Sequence, residues 1–104
     1  MNFSDEQNNI LQKAIDTWGE EAQNSMVIGE LGELLTLYGR KAQGRDTEED
    51  WISEIADVLI IVEQLARMHG YNKVKRMVDT KMERLKGRLS KYDNLKDTNN
   101  DNQE

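Results

Sequence analysis

The sequence predicts an all-α protein, a four-helix bundle that assembles with further copies of itself. Three observations carry the expectation. The 104 residues include no proline and 33% charged residues, a composition that favours long helices over turn-rich sheet. Apolar residues recur at three- and four-residue spacing in four successive segments. From Ile55 to Val62 the third segment is apolar on nearly all sides, with Asp57 as its only polar residue. A helix of that kind is buried on more than one side, and in so small a chain one of those sides meets a second subunit.

The first helix begins after Ser4, which has capping-box spacing to Gln7, with Phe3 placed as a hydrophobic staple. Ile10, Leu11, Ala14, Ile15 and Trp18 form its apolar stripe, and Gly19 stops it. The second helix spans about Glu20 to Ala42. Its apolar set is Met26, Val27, Leu31, Leu34, Leu35, Leu37 and Tyr38, its last turn holds Arg40 and Lys41 at the negative end of the helix dipole, and Gly44 follows as C-cap. The third opens with Asp46 as cap and Glu48, Glu49 and Asp50 at the positive helix end, and runs to about His69 before Gly70. The fourth spans about Tyr71 to Tyr92. Residues 93–104 are polar and poor in apolar side chains, which predicts a disordered tail beyond a folded domain of residues 1–92.

Composition excludes several classes of function. With no cysteine there is no disulfide framework and no thiolate chemistry, and with His69 alone there is no multi-histidine zinc site within one chain. A net charge of -6 argues against nucleic acid as a partner, because non-specific binding depends on phosphate neutralisation. No apolar run approaches the roughly 20 residues that span a bilayer, so no membrane partner is expected. The start, Met1-Asn2-Phe3-Ser4-Asp5-Glu6, lacks the basic and apolar parts of a signal peptide, and a cytoplasmic location is expected.

Chemistry is concentrated in the two central helices. Glu30 and Glu33 are three residues apart on the second, Glu54 and Asp57 on the third, so each helix presents a pair of carboxylates on one face. Glu-x-x-Glu is common on solvated helices; the placement of these pairs is not. Glu30 lies four residues from Met26 and from Leu34, on the apolar stripe, while Asp57 lies within the apolar run. A short turn makes the two helices antiparallel neighbours. At about 1.5 Å per residue, Glu33 and Asp57 each lie roughly 15 Å from that turn, Glu54 roughly 10 Å and Glu30 roughly 20 Å. The pairs therefore meet within about one helical turn. Four acids in a half-buried site either protonate or find cations. Hard divalent ions suit oxygen ligands, with Mg²⁺ the default and Mn²⁺ a substitute. An EF-hand is excluded because Trp51 stands where that loop needs glycine, and a di-iron bundle because no Glu-x-x-His is present.

On the fourth helix, a heptad with Tyr71 at a and Val74 at d puts Lys81 and Arg88 at d, where packing helices carry leucine, with Arg84 beside them. Snorkelling over apolar surface is the ordinary reading. Beside an acidic metal site, these cations are also equipment for polyphosphate binding. No glycine-rich phosphate loop is present: Gly29 and Gly32 lie inside a helix.

The order of these motifs resembles the MazG-like, all-α nucleoside triphosphate pyrophosphohydrolases, over about Trp18 to Leu89. Ile28-Gly29-Glu30-Leu31-Gly32-Glu33-Leu34 looks like the family's first motif, Glu54-Ile55-Ala56-Asp57-Val58-Leu59 like its second, and Lys81-Met82-Glu83-Arg84 like its later basic segment. Trp18-Gly19-Glu20-Glu21-Ala22-Gln23 is similar to the opening of short, phage-type members. One departure is Gly29, which stands where the family often has the first glutamate of Glu-Glu-x-x-Glu; a Gly-Glu-x-Gly-Glu form occurs in the dCTP-pyrophosphatase branch.

The resemblance implies Mg²⁺ ligation and catalysis by Glu30, Glu33, Glu54 and Asp57, and phosphate binding by Lys81 and Arg84. The heptad adds Arg88 to the phosphate set. The resemblance further implies a homodimer or homotetramer that hydrolyses nucleoside triphosphates at the α–β bond. Trp18 and Gln23 are candidates to contact the base, as is Trp51, with ordinary core packing the competing role of both tryptophans. The rival function is a non-catalytic helical dimer that binds another protein, its acids and bases serving as interface charges.

Overall fold

The computed structural model describes the backbone of residues 2–102 and the side chains through Lys96. The protein is all-α. Four helices follow one another, α1 (Asp5–Trp18), α2 (Glu20–Ala42), α3 (Glu48–His69) and α4 (Tyr71–Asn102), with no strand among the described residues. No helix among the described residues is long and apolar enough to cross a membrane. The chain divides into two bodies, residues 1–70 with α1 to α3 and residues 71–104 with α4.

The caps explain where the helices begin and end. Gln7 N–H donates to Ser4 Oγ at 3.1 Å and Ser4 N–H donates to Gln7 Oε1 at 2.9 Å, a complete capping box. The hydrophobic staple does not form. Its partner position is held by Asn8, whose Nδ2 donates instead to the Phe3 carbonyl at 3.3 Å. Gly19 alone separates α1 from α2, and its φ of +86° is available to glycine and strained for other residues.

At the other end of α2, Gly44 takes φ +68°. Gly44 N–H donates to the Lys41 carbonyl at 3.0 Å and Arg45 N–H to the Arg40 carbonyl at 2.9 Å, the two bonds of a Schellman motif. The cap of α3 is Thr47 rather than Asp46: Asp50 N–H donates to Thr47 Oγ1 at 3.1 Å. Asp46 is engaged elsewhere, accepting from Trp51 Nε1 at 2.6 Å.

Within the first body, α2 and α3 form an antiparallel hairpin, and α1 packs on both. Near the turn, the Tyr38 and Trp51 rings meet edge to face with centroids 4.9 Å apart, and Lys41 Nζ lies 5.8 Å from the Trp51 ring centroid. The buried apolar side chains are Leu11 and Ile15 of α1, Leu37 of α2 and Ile61 of α3. Among the described residues, three polar ones are buried with them: Gln23, Glu54 and Gln64. Arg67 of α3 donates to Asn8 Oδ1 of α1 and ties the third helix to the first.

Much apolar surface stays uncovered in this body, including Ile28 at 74%, Leu35 at 71% and Ile52 at 62% exposure. The over-apolar stretch of α3 behaves the same way, with Ile55, Ile60 and Val62 exposed.

The second body is one helix, and it differs from the sequence expectation. Instead of ending near Tyr92 it continues through Asn102, so residues 93–102 of the expected tail are helical; residues 103 and 104 lie outside the described residues. Beyond Gly87 there is neither glycine nor proline to stop a helix, although the Asn, Asp and Thr residues of this stretch are weak helix formers. Every described side chain from Tyr71 to Lys96 is exposed.

Candidate metal centre

Packing the α2–α3 hairpin brings three of the four predicted acids together. Glu30 and Glu33 come from adjacent turns of α2, Glu54 from α3, and one carboxylate oxygen of each lies within 4.8 Å of the others. Glu30 is half-buried, Glu33 exposed, and Glu54 buried at 9% exposure. Glu54 Oε1 and Glu30 Oε2 are cut off from solvent and have no hydrogen-bond partner among the described residues.

This arrangement is costly as it stands. Burial pushes the Glu54 carboxyl up from 4.5 to about 7, aided by the neighbouring carboxyl group of Glu30 and then that of Glu33. Two buried, unpartnered carboxylate oxygens beside a third acid form an all-oxygen donor set that lacks a positive charge. A hard divalent cation such as Mg²⁺ fits it. The helix spacing supplies the ligands: Glu30 and Glu33 share a face as residues i and i+3, and α3 brings Glu54 across from them.

Asp57 stands apart. It is exposed and is not among the acids whose oxygens converge. Helical spacing does put it on the face of Ile61 and Gln64, both buried, but nothing in the first body covers it. The sequence assigns one side of that run to a second subunit, and within one chain Asp57 stays uncovered.

A cleft of about 260 Å³ opens from the acids toward the hairpin turn. Glu33, Thr36, Leu37 and Arg40 of α2 line it with Asp50, Ser53 and Glu54 of α3. Arg40 and Ser53 were not read as site residues from the sequence. The signal was there for Arg40, which lies seven residues beyond Glu33 and so on the same face, but its place in the last turn of α2 has the simpler explanation of the helix dipole.

The remaining candidates fall elsewhere. Lys81, Arg84 and Arg88 are all exposed on α4, where Arg84, Arg88 and Lys91 surround a shallow depression left by Gly87. Lys91 extends the basic face and was missed. Trp18 is 63% exposed, so it is not a core residue of this body. Gln23 is 1% exposed, with neither amide atom partnered among the described residues. Trp51 is half-buried and engaged by Asp46 and Tyr38.

Comparison with protein-family models, with curated proteins and with solved structures returns no match.

Proposed function

We propose that this protein is an Mg²⁺-dependent nucleoside triphosphate pyrophosphohydrolase of the MazG-like kind, acting as a homodimer or homotetramer in the cytoplasm to clear unwanted nucleotides. The observation that carries the proposal is the convergence of Glu30, Glu33 and Glu54 within 4.8 Å, with buried oxygens that have no partner among the described residues. Buried acids without cations are destabilising, and their persistence argues for a use.

In this reading Glu30, Glu33 and Glu54 hold the cation, and Asp57, on the next turn of α3, completes the set when assembly covers it. Bound there, Mg²⁺ supplies charge neutralisation at phosphoryl oxygens and acidifies coordinated water. Water adds at the α-phosphorus, the α–β bridging oxygen leaves with pyrophosphate, and a nucleoside monophosphate and a proton are released. Lys81, Arg84 and Arg88 neutralise phosphate charge. Trp18 stacks on the base, and the unpartnered Gln23 amide offers a donor and an acceptor to its edge.

The test is a panel of ribo- and deoxynucleoside triphosphates incubated with the full chain and Mg²⁺, with pyrophosphate as readout. Release from at least one member is expected, and its loss in Glu54→Gln. No release from any member overturns the enzyme reading. It would favour the rival, a helical module that binds another protein, which the exposed Ile28, Leu35 and Ile52 support.

A further inference from the structure

The cleft beside the acids holds two polar groups that the metal reading does not use. Arg40 reaches it from α2 and Ser53 from α3. Among the described residues neither side chain makes a hydrogen bond or an ion pair. Thr36, by contrast, spends its hydroxyl proton on the Gly32 carbonyl at 2.9 Å. The donors left in the cleft are therefore one guanidinium and one hydroxyl, on opposite walls. Glu54 closes the cleft at the acidic end with a buried oxygen that has no partner among the described residues.

We propose that Arg40 and Ser53 form the subsite for the β- and γ-phosphoryl groups, the part of the substrate that departs as pyrophosphate. The subsite rests on the metal reading given above. Glu33, Asp50 and Glu54 make the cleft acidic around its single cation, Arg40, so a free anion is repelled. An anion already joined to Mg²⁺ at the carboxylates is accepted, and the guanidinium fork then grips two of its oxygens. Size points the same way. At about 260 Å³ the cleft falls below the roughly 300–1,000 Å³ of pockets for drug-sized ligands, so it takes a diphosphoryl group and leaves the nucleoside outside. The leaving group thus lies toward the hairpin turn and the nucleoside away from it.

The test is calorimetric titration of the full chain, first with Mg²⁺ alone and then with inorganic pyrophosphate in saturating Mg²⁺. Arg40→Gln is expected to weaken pyrophosphate binding at least tenfold while Mg²⁺ affinity stays within about twofold. Arg40→Lys should recover part of the loss, and Ser53→Ala should weaken pyrophosphate severalfold. Lys41→Gln removes the same charge from the next residue, outside the cleft, and should change neither titration. Melting curves identify any variant that fails to fold; Ser53→Ala then decides alone. Undiminished pyrophosphate binding by Arg40→Gln, or an equal loss in Lys41→Gln, overturns the subsite and leaves the metal reading standing. Failure of the unaltered protein to bind Mg²⁺ overturns both.

Discussion

A carboxyl group that is 91% buried beside two other acids makes folding depend on pH in the unusual direction. Glu54 titrates near 4.5 when the chain is unfolded and near 7 when it is folded. Between those values the folded state keeps a proton that the unfolded state has lost. The stabilisation is therefore complete below about 4.5 and disappears as pH rises through about 7. In metal-free buffer the melting midpoint should fall over that interval by on the order of 10 °C. Glu54→Gln should flatten the profile, and an equally steep profile in that variant would place the cause elsewhere.

Above pH 7, Mg²⁺ or Mn²⁺ should restore the loss. Saturation at 100 times the dissociation constant stabilises by about 2.7 kcal/mol. Glu33→Ala should abolish this metal-dependent rise in melting midpoint. Asp57→Ala should only reduce it, because Asp57 is exposed and apart from the three converging acids. Equal losses in the two variants would place Asp57 in the ligand set on the same footing as Glu33.

The α2–α3 hairpin is the element that makes the site, and its turn sets the register in which Glu54 meets Glu30 and Glu33. Gly44 is central to that turn, since its φ of +68° is strained for any residue with a Cβ although space around it is open. Gly44→Ala should cost about 1 kcal/mol and lower the melting midpoint by several degrees. An unchanged midpoint would mean that the Schellman bonds are not holding the turn. The boundaries of α1, α2 and α3 were legible in the sequence because Ser4, Gly19, Gly44 and Gly70 mark them by local chemistry. Competition between neighbours was not legible. Asp46 and Thr47 are both good caps, and only the position of the Trp51 indole decides that Asp46 is occupied and Thr47 does the capping. The end of α4 was misplaced for the opposite reason: polarity lowers the gain from burial, but it does not stop a helix in the absence of glycine and proline.

At the scale of the molecule, the small core of Leu11, Ile15, Leu37 and Ile61 contrasts with the apolar side chains left in solvent. On α4, Val78, Met82, Leu85 and Leu89 are all at least 42% exposed. The proposed self-association would cover this surface. Sedimentation at micromolar concentration should give at least twice the mass of one chain, and Leu85→Glu should lower it. A stable monomer under those conditions would remove the second-subunit argument drawn from α3.

The all-helical character, the order of the four helices and the two acidic pairs were determined by the sequence, because period, caps and helical spacing are local properties. Which acids converge was decided by tertiary structure. Glu30, Glu33 and Asp57 are alike by spacing, yet only α2 against α3 at the turn's register sets two of them beside Glu54 and leaves the third in water. Burial at one position depends on what stands across from it, and no stretch of chain contains that information about itself.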